Sequence, residues 1–146
     1  MAQKDMNYEL INSPSPELVK ELTSNFFAYS KSKLPNLPPE SEDKIFMVSA
    51  RSQSGELIGG ILANCYWDGL EIDTVWVSGK ERGNGLGSEL VSKAEAFGIS
   101  NGAVIAFLKT MDAKAFYTKL GYEVYGALED RPIGTLLYHM KKRLNK

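Results

Sequence analysis

The stretch Arg82–Ser88, RGNGLGS, lies between a segment with the periodicity of a β-strand and a segment with the periodicity of a helix. Glycine adopts backbone conformations that are closed to residues with a Cβ atom, and it lets an anion approach the main-chain N–H groups. Free N–H groups at the N-terminus of a helix form a concave anion site, to which the helix dipole contributes. The stretch therefore predicts a strand–loop–helix unit whose loop binds a pyrophosphate.

Two well-known phosphate-binding patterns do not fit this loop. The dinucleotide pattern G-x-G-x-x-G requires a glycine where Ser88 stands, and the nucleoside-triphosphate loop requires a Lys-Ser/Thr pair where the chain has Ser88 and Glu89. Without that lysine, and without an obvious pair of carboxylates for magnesium, phosphoryl transfer is disfavoured. A tight turn between strand and helix, with no ligand, is the alternative that the spacing alone leaves open.

The elements around the loop follow from hydrophobic periodicity and turn residues. In chain order they are a strand around Tyr8 and Leu10, a helix Pro16–Ser30, strands Ile45–Val48, Leu57–Tyr66 and Leu70–Val77, a helix Leu86–Phe97, a strand Ala103–Leu108, a helix Ala113–Leu120, and strands Tyr122–Leu128 and Thr135–Met140. Because a strand–helix–strand crossover is right-handed, the strands on either side of the second helix should be parallel neighbours. The sequence therefore predicts a single α/β domain over residues 1–146, with a mixed, mostly antiparallel central sheet and helices on both faces.

Composition and charge exclude several classes of function. Lys and Arg total 17 against 18 Asp and Glu, so the net charge of -1 provides no positive field for a nucleic acid. No apolar segment is long enough to span a membrane, and the first residues lack the apolar core of a signal peptide. The single cysteine, Cys65, and the single histidine, His139, cannot form a disulfide or a four-ligand zinc site. We therefore expect a cytoplasmic protein with no metal, no nucleic-acid partner and no membrane partner.

Two segments together resemble the GCN5-related N-acetyltransferase (GNAT) family. The pyrophosphate loop of that family, Arg/Gln-x-x-Gly-x-Gly/Ala, is matched by Arg82, Gly85 and Gly87. The segment Ala113–Tyr122, AKAFYTKLGY, is similar to the family signature A-x-x-x-Y-x-x-x-G-F/Y, and one predicted buried strand separates it from the loop. The resemblance covers nearly the whole chain and implies acetyl-CoA as cosubstrate.

The resemblance also implies roles for individual residues. Tyr117 matches the family tyrosine near the thioester sulfur and is the expected general acid, and the backbone beside the pantetheine arm is that of residues 75–77. Thr110 stands where many relatives carry an asparagine that meets the pantetheine, and Asp112 adds negative charge near an anionic cofactor. Loop chemistry and resemblance together assign to the cofactor Val75, Trp76, Val77, Arg82, Gly83, Asn84, Gly85, Leu86, Gly87, Ser88, Thr110 and Tyr117.

The base that takes a proton from the incoming amine is expected among carboxylates near the site. Glu71 and Asp73 alternate on one strand and should share a face, so either could act through water. Both could equally be solvated strand residues or partners in structural ion pairs.

The function predicted from the sequence is transfer of an acetyl group to a primary amine of a small molecule or a protein, by direct attack without a covalent intermediate. A module that binds CoA or acyl-CoA without turnover is the alternative, and a purely structural domain is a third. The final strand, if exposed, could pair two copies of the chain into a homodimer.

Overall fold

The computed structural model describes residues 6–39 and 42–145. They fall into two compact units, one up to Leu37 and one from Pro38 onward. The first unit contains helix α1, Pro16–Lys33, which begins where Ser15 Oγ accepts the N–H of Leu18 at 3.1 Å. The predicted helix is therefore confirmed, and it continues one turn beyond Ser30.

The strand predicted around Tyr8 and Leu10 is wrong. Residues 6–10 form no strand, and the side chains of Tyr8 and Leu10 are 88% and 85% exposed. Alternation of polar and apolar residues produces a strand only where a neighbouring backbone takes up the N–H and C=O groups and one face is buried. This segment has neither.

The second unit is built on a six-stranded mixed sheet in the order β1-β2-β3-β4-β6-β5. Its elements are β1 Lys44–Arg51, β2 Leu57–Tyr66, β3 Gly69–Val77, α2 Leu86–Ser100, β4 Ile105–Thr110, α3 Lys114–Lys119, β5 Glu123–Glu129 and β6 Leu136–Arg143. Only β3 and β4 are parallel among the paired strands of the described chain. The predicted α/β class, the meander of β1–β3 and the parallel pair across α2 are confirmed.

The final strand is not at an edge of the sheet. β6 pairs with β4 on one side and with β5 on the other, so its backbone groups are already used. The edges of the sheet are β1 and β5. The expectation of an exposed final strand is therefore wrong, and a homodimer, which stays a prediction, would have to use another surface.

Helix α2 covers the middle of the sheet and fixes the position of its own N-terminus. Leu90, Val91 and Ala94 are buried against β2 and β3, where they meet Ile61 and Leu70. Full burial of one such aliphatic side chain contributes about 1.5–3 kcal/mol. The start of α2 is thus held at the end of β3. None of the helices in the described residues is long and apolar enough to cross a bilayer.

The pairing of β3 changes at Asp73. Ile72 lies opposite Ala63 of β2 and Thr74 lies opposite Leu62, so Asp73 is the extra residue of a β-bulge. On its other side, β3 pairs with β4 only as far as Ile72 opposite Leu108, although both strands continue beyond this point. A gap therefore opens between the carboxyl ends of the two parallel strands, which is where ligands bind in open α/β sheets.

Candidate active site

The glycine loop presents unpaired main-chain N–H groups at the start of α2. Gly83 and Gly85 both have φ of +84°, a region that costs other residues about 1–2 kcal/mol. Gly85 is the N-cap, and the first helical hydrogen bond runs from Glu89 N–H to its carbonyl at 3.0 Å. The N–H groups before Glu89 have no acceptor within the helix, and the helix dipole adds positive potential at the same place. The loop therefore has the backbone geometry that an anion site requires.

Gly87 is required for close packing, and not for a left-handed backbone conformation. A Cβ atom at this position would lie 3.2 Å from Cζ of Phe116, on α3. The glycine lets the side of α3 pack against the first turn of α2. This packing brings the two segments that carry the sequence motifs into contact.

Two basic side chains lie beside the loop. Arg82 donates from Nε to the carbonyl oxygen of Val77 at 3.0 Å, which leaves its two Nη groups to reach an anion. Lys119, in the last turn of α3, lines the same cavity. The cavity has a volume of about 610 Å³, and we call it the loop cavity. Its lining residues are Val75, Val77, Glu81, Arg82, Gly83, Gly85, Leu86, Gly87, Ser88, Asp112, Ala113, Phe116, Tyr117 and Lys119.

A second cavity occupies the gap between the ends of β3 and β4. It has a volume of about 480 Å³, and we call it the splay cavity. It is lined by Ile72, Asp73, Thr74, Val75, Leu108, Lys109, Thr110, Met111, Asp112, Ala113, Tyr117 and Leu137. The two cavities share Val75, Asp112, Ala113 and Tyr117. They therefore adjoin, and we call the place where they meet the junction.

Tyr117 is the buried polar side chain at the junction. It is 7% exposed and packs edge-on against Phe116 and Tyr122, with ring centroids at 4.9 and 5.7 Å. Its hydroxyl makes no hydrogen bond with the described residues, and the residue lines both cavities. Burial, and next the negative charge of Asp112, raise the pKa of the Tyr117 phenol above its ordinary value of about 10. The group is therefore protonated at neutral pH, as a hydrogen-bond or proton donor must be.

The two predicted bases are separated by the bulge. Asp73 is exposed and lines the splay cavity with Tyr117. Glu71 instead accepts a hydrogen bond from the hydroxyl of Tyr66 at 3.1 Å, and it lines neither cavity. A bulge commonly re-aims a side chain next to a functional site. The alternation of residues along β3 could not reveal this bulge, because the extra residue is defined only by the register with β2.

The remaining predicted cofactor residues fall into two groups. Thr110 lines the splay cavity, is 8% exposed, and its Oγ1 accepts the N–H of Ala113 at 3.0 Å ahead of α3. The side chain of Trp76 points away from Val75 and Val77, into a surface groove of about 190 Å³ with Met47 and Leu62. Asn84 lines neither the loop cavity nor the splay cavity. The glycine loop, the end of β3 and Tyr117 thus line adjoining cavities, whereas Trp76 and Asn84 line neither of them.

Glu81, Phe116 and Lys119 line the loop cavity but are not among the residues predicted from the sequence for catalysis or cofactor binding. Glu81 and Lys119 are charged, and Phe116 provides an apolar wall beside the loop. Phe116 and Lys119 lie on either side of Tyr117 in the sequence and are three residues apart, which places them on the same side of α3. The signal that could have found them is this spacing.

A third large cavity lies at the other end of β2 and β3. It has a volume of about 520 Å³ and is lined by Tyr66, Trp67, Asp68 and neighbouring residues. None of the residues predicted for catalysis or cofactor binding lines it. The chemistry suggested by the sequence therefore belongs to the loop and splay cavities.

Comparison with known proteins identifies the class of protein. A model of the acetyltransferase (GNAT) family matches residues 8–122. The blasticidin-S acetyltransferase of Streptomyces morookaense is 33% identical over 104 residues, which are 69% of this chain and 76% of that enzyme. The chain therefore belongs to the GNAT family, and it is an N-acetyltransferase.

Solved structures agree with this assignment. A crystal structure of an acetyltransferase from Bacillus cereus superposes with a TM-score of 0.80 at 26% identity, over 92% of this chain and 97% of that one. An aminoglycoside 6′-N-acetyltransferase complexed with coenzyme A superposes with a TM-score of 0.64 at 20% identity, over 97% of this chain and 98% of that one. At this lower identity the likeness is one of fold.

Proposed function

We propose that this N-acetyltransferase takes its acetyl group from acetyl-CoA and transfers it directly to a primary amine of a small molecule. The observation that carries the proposal is the junction, where an anion-binding cavity meets the gap between two strands beside a buried phenol. The names of the relatives support a small-molecule acceptor, since one acetylates blasticidin S and a structural neighbour acts on aminoglycosides.

The loop cavity has the chemistry that the diphosphate of acetyl-CoA requires. Main-chain N–H groups at the start of α2 would hold the phosphate oxygens, with Arg82 and Lys119 supplying positive charge. The pantetheine arm would then run into the splay cavity along β3. Beyond Ile72 that strand has no hydrogen-bonding partner on the β4 side, so its main-chain groups are available to the amides of the arm.

At the junction the reaction needs no covalent enzyme intermediate. The amine nitrogen forms a bond to the thioester carbonyl carbon, and the carbon–sulfur bond breaks to leave the CoA thiolate. The main chain at Val75–Val77 would donate to the oxyanion, and Tyr117 would donate its proton to the thiolate. Holding both reactants in place supplies much of the acceleration.

The acceptor enters as an ammonium ion and must lose a proton before its nitrogen can attack, so that proton needs an acceptor. Asp73 is the carboxylate that we propose, acting through water, because it lines the splay cavity beside Tyr117. Glu71 is the weaker candidate, since its carboxylate is engaged by Tyr66.

We further propose that residues 1–146 make up one catalytic domain that acts in the cytoplasm. The family match at residues 8–122 runs across the boundary between the two compact units at Leu37 and Pro38. The single cysteine, Cys65, suits a reducing compartment.

The test combines binding with turnover. Calorimetric titration with CoA should show a single site, and a panel of primary amines should release free CoA thiol from acetyl-CoA. Tyr117→Phe should lower kcat ten-fold or more while acetyl-CoA binding stays within a few-fold, because the phenol acts on the leaving sulfur. Asp73→Asn should lower kcat more than Glu71→Gln.

The control is Tyr125→Phe, an exposed tyrosine of β5 whose loss should change neither quantity. Binding without release of thiol for any amine would leave a module that holds CoA but does not transfer. Unchanged turnover in Tyr117→Phe would remove the acid role while keeping the enzyme.

A further inference from the structure

The edge strand β1 has no protection against pairing with a further strand. It runs without a bulge from Lys44 to Ala50 opposite β2, and between Ile45 and Ala50 it has no charged residue, proline or glycine. Among the described residues no strand pairs with its outer edge. Proteins usually protect an edge strand with charges, prolines or bulges, because its unpaired N–H and C=O groups are a template for another strand. The middle of β1 is therefore open to such a strand.

The other edge strand, β5, is protected. Tyr125 is the extra residue of a bulge opposite β6, and the strand begins and ends with the acidic residues Glu123 and Glu129. Antiparallel pairing of β5 with itself, centred on Gly126, would bring Glu123 of one copy opposite Glu129 of the other. Like charges directly opposite each other destabilise a pair of strands. A second copy of the chain that extends the sheet should therefore use β1.

The side chains of β1 indicate the same surface. Phe46 packs on Phe97 of α2, with ring centroids at 4.2 Å, and with Val48 it lies against the core. Alternate residues of a strand share a face, so Ile45 and Met47 lie on the face opposite α2, where they are 73% and 62% exposed. Cross-strand neighbours on one face have Cβ atoms about 4.5–5.5 Å apart. A strand beside β1 would therefore cover part of these two apolar side chains.

Symmetry restricts how two copies of β1 can pair. A two-fold axis perpendicular to the sheet makes the two strands antiparallel and keeps corresponding faces of both sheets on the same side. Directly opposed residues have their side chains on the same face, so one residue of β1 must lie on the axis. The eight-residue strand overlaps most with itself when that residue is Met47 or Val48.

Charge complementarity selects Met47 as the residue on the axis. In that register Asp43, just before β1, lies opposite Arg51, the last residue of β1 in the second copy. The axis repeats this pair, so two acidic and two basic side chains are matched. With Val48 on the axis, Arg51 would lie opposite Ile45 instead. Opposite charges across from each other stabilise a strand pair.

We propose that the chain forms a homodimer in which β1 pairs antiparallel with β1 of a second copy, with Met47 on the two-fold axis and Asp43 opposite Arg51. The two sheets then form one continuous sheet whose outer edges are the two protected β5 strands, so the assembly closes at two copies. The inference is separate from the proposed function, because Asp43, Met47 and Arg51 line neither the loop cavity nor the splay cavity.

Sedimentation equilibrium of the full chain measures the state of association. We expect a dimer at tens of micromolar, and in Met47→Lys a dissociation constant of the dimer that is about ten-fold higher or more, because two ammonium groups would meet on the axis. Leu128→Lys makes the same change at an exposed apolar residue of β5. It is the matched control and should leave the dimer intact.

Charge reversal tests the pair at the ends of the interface. Asp43→Arg and Arg51→Asp each replace two attractive pairs by two repulsive ones, so each should raise the dissociation constant about three- to ten-fold. The double variant restores both pairs with the charges exchanged, and it should dissociate like wild type.

Disulfide formation measures the register. Directly opposed residues have Cα atoms about 4.5–5.5 Å apart, which is within the span of a disulfide. Met47→Cys should therefore cross-link two copies under mild oxidation. Ile45→Cys should not, because its two copies are offset by four residues, or about 13 Å, along the strands. The natural Cys65 is 6% exposed and should not take part.

A monomer at these concentrations would overturn the inference, whether hydrogen exchange then finds the outer N–H groups of β1 free or protected by another segment of the chain. A dimer that survives Met47→Lys would place the interface elsewhere and overturn it as well. Cross-linking through Val48→Cys but not through Met47→Cys, or charge variants that dissociate like wild type, would refute the register. Oligomers that keep growing with concentration would contradict closure at two copies.

Discussion

Replacement of Gly85 by alanine tests whether the loop backbone is an anion site. A Cβ atom at Gly85 would meet nothing within 4 Å, so Gly85→Ala creates no steric clash. Its cost comes from the backbone alone, because φ of +84° disfavours an L-residue by about 1–2 kcal/mol. Alanine relieves part of this strain by rotating the N-cap, which turns the first N–H groups of α2 away from their common centre.

Gly55→Ala is the matched control. Gly55 has φ of +92°, and its added Cβ would also meet nothing within 4 Å, but it lies in the turn between β1 and β2. The two variants should therefore lose similar free energy of unfolding, about 1–2 kcal/mol. Urea unfolding monitored by circular dichroism checks this, with the midpoint shifting and the slope unchanged.

Only Gly85→Ala should weaken CoA binding. Loss of one hydrogen bond to a charged phosphate costs about 1.5–3 kcal/mol, which corresponds to roughly a 10- to 150-fold increase in Kd. Calorimetry with CoA measures this, and pantetheine, which lacks the diphosphate, should bind both variants and wild type alike. Wild-type CoA affinity in Gly85→Ala, or an equal loss in Gly55→Ala, would refute the assignment of the loop.

Two further predictions concern the ion pair and hydrogen bond that join α2 to the sheet. Glu95 accepts hydrogen bonds from the Tyr122 hydroxyl at 2.7 Å and from Lys142 Nζ at 3.0 Å, so Glu95→Gln should lower the free energy of unfolding by about 1–3 kcal/mol in chemical denaturation. The control Glu89→Gln breaks the exposed pair with Lys93 at 3.7 Å and should lower it by less than about 1 kcal/mol. Equal losses in the two variants would contradict this prediction. Burial, and next the hydrogen bond and charge of Glu95, raise the pKa of Tyr122 above the ordinary tyrosine value of about 10. Above that pH the phenol ionises in the unfolded chain but stays protonated in the folded one. The stability that Tyr122 confers is therefore complete below a pH of about 10 and is lost as the pH rises further. Above a pH of about 10 the free energy of unfolding should therefore fall with pH less steeply in Tyr122→Phe than in wild type, by up to about 1.4 kcal/mol per pH unit. Denaturant unfolding at several pH values measures this, and equal pH dependence in the two proteins would contradict it.

Much of the fold could be predicted because its patterns are local. Helix α1 needs only the Ser15 cap and a proline in its first turn, and the β1–β3 meander needs only alternation and turn residues. The same local logic failed at Tyr8 and Leu10, where alternation exists without a partner strand. It also failed for β6, because the order of strands in a sheet depends on which edges remain open once the others have paired.

The sequence by itself determined the loop and the tyrosine motif, since each is a run of neighbouring residues whose conformations are set by glycine and by helical spacing. Only the tertiary structure decided which side chains meet at the junction. The bulge at Asp73 exists only in the register between β2 and β3, and it separates Asp73 from Glu71. The gap that brings Asp73 and Tyr117 into one cavity depends on how far β3 and β4 stay paired. These are relations between segments distant in the chain, and they are fixed by packing and backbone pairing rather than by the residues' own preferences.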